Sequence, residues 1–233
     1  MISVCMAVKN GEQFLRQQID SILHQLSPSD ELVISDDHST DGTISIIQSY
    51  QDPRIVLTAN CGKGILQNFE SALMHCKGEY IFLTDQDDVW MPERVARTIP
   101  HFVEYDLVVN DCKIVNRNLH VLHNSFFDFN RSGKGIFKNL IRNSYMGCCM
   151  AFKRKVLRKA LPFPSRIIMH DQWLGLVAEL DFNIAFIPDQ LILHRRHELN
   201  ASTTFYKSKY HLVDKFSHRL QLAWSLAGTR YEN

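Results

Sequence analysis

YIFLTDQDDVWMPERV occupies Tyr80 to Val95. Apolar and β-branched residues run into Asp85, Asp87 and Asp88, and a tryptophan follows. The run up to Thr84 has the length and composition of a strand buried on both faces. Carboxylates this close repel one another and are costly to bury unless something positive lies among them. The stretch therefore predicts a strand whose carboxyl end carries a charge cluster that the rest of the chain must explain.

Reading outward toward the N-terminus, the same unit recurs. Ile2–Val8 is a continuous apolar run, broken by Asn10 and Gly11. Phe14, Leu15, Ile19, Ile22, Leu23 and Leu26 then recur at helical spacing until Pro28. Glu31–Ser35 reads as a second strand that stops at Asp36-Asp37, and Ser39-Thr40-Asp41-Gly42 makes a turn able to cap a helix over Thr43–Tyr50. Arg54–Thr58 is a third strand, a helix runs from about Ile65 to Cys76, and Lys77-Gly78 leads into the fourth strand at Glu79–Thr84. Such alternation predicts an α/β fold with a mostly parallel central sheet flanked by helices. Ligands of these folds bind beyond the carboxyl ends of the strands. Lys9-Asn10, Asp36-Asp37 and Asp85-Gln86-Asp87-Asp88 each follow a strand, so all three should meet at one edge.

Downstream, the pattern predicts a helix after Pro92 to Tyr105, a strand at Asp106–Asn110, and an irregular segment at Asn124–Ser144 with a short helix near Phe137–Ile141. A strand over Gly147–Phe152, a short helix over Lys153–Ala160 and a helix over His170–Leu180 follow. Asn183–Ile187 and Gln190–Leu193 read as two late strands. From Phe205 onward a helix carries Leu212, Phe216, Leu220 and Trp224 four apart, flanked by Lys207, Lys209, Lys215 and Arg219. Such a helix can lie on an anionic membrane surface; packing on its own domain is the preferred expectation.

The chain has 233 residues, 45% hydrophobic and 22% charged, which suits a soluble globular protein with one sizeable α/β domain or two small ones sharing a core. A net charge of +1 leaves no global footprint for nucleic acid, so an anionic ligand would be held locally. The six cysteines form no CxxC pair, and several sit in apolar runs; a reducing cytoplasm is expected, without a disulfide scaffold or zinc site. MISVCMAV has no basic leader and reads as a strand, not a signal peptide. No apolar run approaches the roughly 20 residues that cross a bilayer.

The order of ISVCMAVKNGEQFLRQQIDSIL, ELVISDDHSTDGT, NCGKG, CKGEYIFLTDQDDVWMPERV, GCCMAFKRKVL and HDQWL resembles glycosyltransferase family 2, the inverting nucleotide-sugar transferases of GT-A fold. These pieces span most of residues 2 to 200. The wording DQDDVW, HDQWL and HRRHELN is most similar to bacterial transferases of surface polysaccharides, among them rhamnosyltransferases using dTDP-L-rhamnose. The A-R-N-x-G often found before the fourth strand is absent, GILQNFESAL standing there instead. The resemblance implies one GT-A domain over 1–204, with a nucleotide-sugar half at 1–105 and an acceptor half at 106–204, and a helical tail at 205–233. It implies a dTDP- or UDP-linked donor, a glycan or lipid-linked glycan acceptor, and work in the cytoplasm or at the inner membrane face.

The residues can be matched to that chemistry. Asp37 can accept from the N3–H of uracil or thymine, the role the family gives to the second aspartate of its pair. Asp36 and the backbone of Ala7 and Val8 complete the expected base pocket. On the residues alone, a turn with an Asx cap is the preferred reading of Asp36-Asp37; the cluster after the fourth strand shifts the expectation to base binding. A diphosphate beside carboxylates calls for a divalent ion, Mn2+ or Mg2+. Reading DQD as the family's D-x-D, Asp87 is the expected metal ligand, Asp85 the ribose or water-mediated partner with Gln86 beside it, and Asp88 turns away to cap a helix. His197 is expected as a further metal ligand, with a phosphate donor or a purely structural histidine as the alternatives. Asp171 matches the family's catalytic base, and a helix start favours its ionised form; the plainer use of such an aspartate is a cap. Arg195 or Arg196 could pair with phosphate, Trp90 could wall the sugar pocket or equally pack in the core, and Gly147 and Trp173 lie on the acceptor side. A sugar-1-phosphate nucleotidyltransferase would need a glycine-rich basic loop that MAVKNGEQF lacks. A non-catalytic nucleotide-sugar module would have no use for Asp171.

Overall fold

The computed structural model describes residues 1–198, 200 and 212–228. The first half alternates as the sequence dictates: β1 (Ile2–Val8), α1 (Leu15–Leu23), β2 (Glu31–Asp36), α2 (Thr43–Ser49), β3 (Ile55–Ala59), α3 (Ile65–His75) and β4 (Tyr80–Asp85). A two-residue strand β5 (Val89–Trp90) and a helix α4 (Arg94–Thr98), continued by a 3-10 turn over Ile99–Val103, lead to the second half. There follow β6 (Leu107–Asn116), β7 (Val121–His123), α5 (Phe126–Asn130), α6 (Ile136–Ile141), β8 (Met150–Lys153), α7 (Arg154–Ala160), α8 (His170–Asp181), β9 (Ile184–Arg196) and α9 (Leu212–Gly228).

Both halves share one sheet, ordered β3-β2-β1-β4-β8-β6-β9-β5, with β7 on β6. Pairing of β1 with β2 and β4, β2 with β3, and β6 with β9 is parallel; β5, β7 and β8 run against their neighbours. The strands of β1 alternate their side chains between two cores. Val4, Met6 and Val8 face α1 and Ile47, whereas Cys5 faces Phe69, Ala72 and Leu73 of α3. Burial on both faces is why β1 reads as a continuous apolar run. Gly78 is needed where the chain enters β4, because a Cβ there would come within 2.6 Å of the Ser3 amide nitrogen.

The two late strands expected from the sequence are one strand. β9 runs through Pro188, and its register against β6 shifts near Asn110 and Asp111. Such irregularity absorbs a residue that cannot donate. It also bends the far end of β9 over the sheet, where Leu193 and Ile192 pair with Val89 and Trp90. The sheet thus curls until β5, which directly follows β4 in sequence, sits at its other end. Of the expected tail, residues 201–211, which include Tyr206, Lys207 and Lys209, lie outside the described residues. Among the described residues, no helix is long and apolar enough to cross a membrane.

Candidate active site

The register of β1 brings the polar clusters to one rim. Ala7 lies opposite Ser35 on one side and Asp85 on the other, and Val8 opposite Asp36. Just past β2, the buried Asp37 accepts three hydrogen bonds: Lys9 Nζ to Oδ2 at 2.9 Å, Asn60 Nδ2 to Oδ1 at 2.8 Å, and the Gly64 N–H to Oδ2 at 3.2 Å. Burial works to raise this carboxyl, but the three donors outweigh it and hold Asp37 below the ordinary carboxylate value. Asp36 Oδ2 accepts from the Ser39 N–H at 3.0 Å, while its Oδ1 is buried without a partner. The Val8 carbonyl accepts the Asp37 N–H at 2.9 Å and Asn68 Nδ2 at 3.0 Å. Gln86 clamps the loop after β1: the Lys9 N–H donates to its Oε1 at 2.9 Å, and its Nε2 donates to the Lys9 carbonyl at 3.0 Å.

The three aspartates after β4 have three different environments. Asp88 is fully buried and accepts from His194 Nδ1 at 3.0 and 3.2 Å and from the Arg195 N–H at 3.0 Å. Burial pushes Asp88 up and the charge of His194 pulls it down further, so it stays ionised below its ordinary value. His194 is correspondingly held well above the usual imidazole value, its burial outweighed by Asp88. The expected helix cap is therefore corrected: Asp88 is half of an internal ion pair, which the curl of β9 over β5 creates. Asp87 Oδ2 accepts from His197 Nε2 and from Asn200 Nδ2, each at 2.8 Å. Among the described residues no cation lies within salt-bridge distance of Asp85. Burial, then the negative charges of Asp88 and Asp87, and that of Asp171 as well, hold Asp85 well above the carboxylate range.

Asp171 sits in the first turn of α8, buried, with the Gln172 N–H donating to Oδ1 at 2.6 Å. Burial pushes its carboxyl up to about 6, against opposing hydrogen bonds from backbone N–H groups that include Gly147. Gly147 makes that approach possible, since a Cβ there would lie 3.0 Å from His170 Nε2 and 3.5 Å from the Asp171 Cβ. His170 stacks on Phe69 with ring centroids 3.7 Å apart; neither of its nitrogens has a hydrogen-bond partner, and burial lowers it to about 3, so it is neutral.

Several expected site residues are placed elsewhere. Trp90 is buried against Phe82 beneath the Arg94 guanidinium, 4.0 Å from its ring, and donates to Thr84 Oγ1 at 2.9 Å. It is core and does not wall a sugar pocket. Trp173 is likewise buried, its indole donating to the Ala160 carbonyl at 2.9 Å. Arg195 is buried and its guanidinium is spent on the carbonyls of Asp87 and Arg117 and on Gln17 Oε1, at 2.6 to 2.8 Å, so it is not placed as a phosphate ligand. Arg196 is only partly exposed at the end of β9. Residues that sequence reasoning did not single out are Asn60, His194 and Asn200, which hold Asp37, Asp88 and Asp87. Asn60 opens the NCGKG turn, a legible signal; nothing in HRRH distinguishes His194 from His197.

Two donor sets could hold an ion. Asp85, Asp88, Cys148 and His194 have ligand atoms within 4.8 Å of one another. That set is turned inward, and both oxygens of Asp88 are engaged by His194. Asp87 and His197 offer a carboxylate oxygen and an imidazole nitrogen that already meet, beside an Asp85 surrounded by negative charge. This second set fits a small divalent ion with oxygen and imidazole ligands.

The model of the family described as "Glycosyl transferase family 2" matches residues 3–161. The chain is 25% identical over 236 residues to the Escherichia coli UDP-Glc:alpha-D-GlcNAc-diphosphoundecaprenol beta-1,3-glucosyltransferase WfgD, covering 100% of this chain and 87% of that protein. It is 26% identical over 237 residues to the dTDP-rhamnosyl transferase RfbG of Shigella flexneri, covering 88% and 76%. Among solved structures, S. aureus TarS residues 1–349 in complex with UDP-GlcNAc superposes with a TM-score of 0.73 at 17% identity, over 99% of this chain and 72% of that one. That likeness shows the GT-A fold which the sequence resemblance implies.

Proposed function

Since the chain belongs to glycosyltransferase family 2, we propose that it moves a sugar from a pyrimidine nucleoside diphosphate-sugar to a hydroxyl of a bacterial surface glycan, with inversion at the anomeric carbon. The observation that carries this reading is the rim itself. A buried carboxyl raised toward neutrality, Asp171, lies within electrostatic reach of the acidic loop after β4. A proton acceptor and a cation-seeking cluster thus lie close enough for their charges to interact, as the proposed chemistry requires.

Asp37 accepts from the N3–H of the base, with Lys9 and Asn60 fixing its orientation. Asp85 takes the ribose side. Asp87 and His197 would hold Mn2+ or Mg2+, which when bound supplies positive charge against the donor's diphosphate. Asp171 takes the proton of the acceptor hydroxyl as that oxygen attacks the anomeric carbon, the sugar–diphosphate bond breaking on the opposite face. One base and one displacement give inversion. The names of WfgD and RfbG point to UDP-hexose and dTDP-rhamnose as the donors to compare, and that of WfgD to a lipid-diphosphate-linked acceptor. Such an acceptor is reached at the cytoplasmic face of the membrane.

The test is a panel of UDP- and dTDP-sugars assayed for hydrolysis with and without Mn2+, beside calorimetry with UDP and dTDP. Metal-dependent hydrolysis of one donor, lost in Asp171→Asn while nucleotide binding persists, is the expected result. Metal-independent nucleotide binding, or unimpaired turnover by Asp171→Asn, overturns the reading.

A further inference from the structure

α9 carries apolar side chains on opposite sides. Leu222 and Leu226 are buried, as a helix packed on its own domain requires. Leu220 and Trp224, the stripe the sequence singled out, point the other way and are 56% and 71% exposed. α6 repeats the arrangement. Ile136 and Leu140 pack on the core, while Phe137 and Ile141, also four apart, are 84% and 66% exposed. The two helices adjoin, Arg219 Nη2 donating to the Ile141 carbonyl at 2.9 Å. Contiguous exposed apolar side chains of this size mark an interaction surface.

The charge around them leans positive, although Glu179 accepts from the Gly135 N–H and from Asn139 Nδ2 of α6. From Phe129 to His170 the sequence has ten Lys and Arg and no Asp or Glu, in a chain whose net charge is +1. Lys153 and Lys155 are neutralised by Asp106, and Lys159 lies beside Asp181. The cations on and beside the apolar helices are not: among the described residues, Lys138, Arg142, Arg166 and Arg219 have no carboxylate partner. Arg166 instead lies 5.4 Å from the Trp224 ring, a cation above an exposed aromatic.

We propose that this α6–α9 face docks on an anionic lipid bilayer. The inference rests on the reading that the acceptor is lipid-linked, and names the surface that would bring the protein to it. Phe137, Ile141, Leu220 and Trp224 enter the headgroup boundary, and the cations meet the lipid phosphates. A second copy of the chain suits the face poorly, since an isologous contact would set the same unpaired cations against each other. The face also adjoins the candidate base: Gln172, next to Asp171, donates through Nε2 to the Asn139 carbonyl, between Phe137 and Ile141, at 2.7 Å.

The experiment is co-sedimentation of the full chain with vesicles of phosphatidylcholine alone and of phosphatidylcholine mixed with phosphatidylglycerol, at low and high salt. Binding to the mixed vesicles that weakens with salt is expected. Lys138→Gln should weaken it roughly fivefold, as one headgroup-paired cation contributes, and Phe137→Ser and Trp224→Ser should weaken it further. Donor hydrolysis should be unchanged in all three variants, which touch none of the site residues. No binding to mixed vesicles, equal binding to both kinds, or indifference to Lys138→Gln overturns the proposal. So does lipid-free self-association that Phe137→Ser abolishes. Because donor hydrolysis is read separately, vesicle binding without hydrolysis would sink the catalytic reading alone, and hydrolysis without vesicle binding would sink this one.

Discussion

Asp37 and Asp171 are both buried carboxylates at the same rim, and they are tuned in opposite directions. Asp37 has a lysine, an asparagine amide and a backbone N–H directed at it, and is held low. Asp171 has backbone donors and the Asn143 side chain, which only partly offset its burial, faces no cation among the described residues, and is pushed up to about 6. A carboxylate held ionised by three donors is a fixed acceptor with lone-pair capacity left over, suited to reading a hydrogen-bond donor on a ligand. One that carries a proton almost as readily as it loses it is suited to proton transfer. Environments that drive two carboxyls apart divide the roles between them.

The comparison breaks most visibly at Asp171. Asp171→Asn is expected to lower kcat by roughly 10²- to 10⁴-fold, the contribution of a positioned general base, with nucleotide affinity unchanged. In the intact enzyme kcat should rise with pH through about 6 and level off above it, because only the ionised carboxyl accepts a proton. A flat profile across that range would remove Asp171 from the role. Stability should move the other way. The folded state binds the Asp171 proton more tightly than the unfolded chain, so the advantage is present below the ordinary carboxylate value and is lost as pH rises through about 6. At neutral pH the ionised side chain is a liability, and Asp171→Asn should raise stability by up to about 3 kcal/mol, measured by denaturant titration.

Asp88 supplies the control. It is as buried as Asp171, but its charge is answered by His194 and the Arg195 N–H. Asp88→Ala leaves His194 without its partner and should cost about 3–5 kcal/mol of stability, seen as a lower denaturation midpoint. The folded pair spans a wide pH window. Stability from the depressed Asp88 is present above the ordinary carboxylate value, and that from the raised His194 is lost only when pH climbs through its elevated value. A variant that kept full stability would show that the pair is not buried charge. Asp37→Ala should be milder, weakening UDP or dTDP binding roughly tenfold to a hundredfold, as losing a hydrogen bond to a charged group does. Calorimetry reads it directly, and undiminished affinity would return Asp37 to the turn that Asp36-Asp37 resembles.

What the sequence disclosed and withheld follows the range of the forces involved. β1 is legible to the residue, Ile2–Val8, because burial on both faces leaves its mark on every position. Asp41 reads as a turn residue and does accept the Thr43 N–H at 3.0 Å at the start of α2. The two-residue β5 and three-residue β7 are too short for any period, and Pro188 made one bent strand read as two. In the site, Asp37, Asp87 and Asp171 stand where a strand ends or a helix begins, so their positions betray them. Two of their partners do not stand out: His194 and Asn200 meet their aspartates from 106 and 113 residues away, through the curl of β9 and not through local pattern. Asn60 reaches Asp37 from 23 residues away across the β2–β3 pair, at a turn the NCGKG stretch announces. Trp90 stays open in the sequence because an aromatic after an acidic loop suits a sugar as well as it suits Arg94, four residues on; the structure takes the core alternative.

The finest test of the opposed tuning is Lys9. Its ammonium is 2.9 Å from Asp37 Oδ2, yet its side chain is 58% exposed while that of Asp37 is almost fully covered. Solvent screens such a pair, so Lys9→Met should change stability by only a few tenths of a kcal/mol. The carboxyl should nonetheless move upward, since burial then meets only Asn60 and the Gly64 N–H. The visible consequence is in the pH dependence of nucleotide binding: affinity in Lys9→Met should begin to fall at a higher pH on acidification than in the wild-type chain. If the two acid limbs coincide, Asn60 and the backbone alone hold Asp37 down, and the asymmetry between the two carboxyls is written in the packing of β2 and its following turn, with the loop cation a bystander.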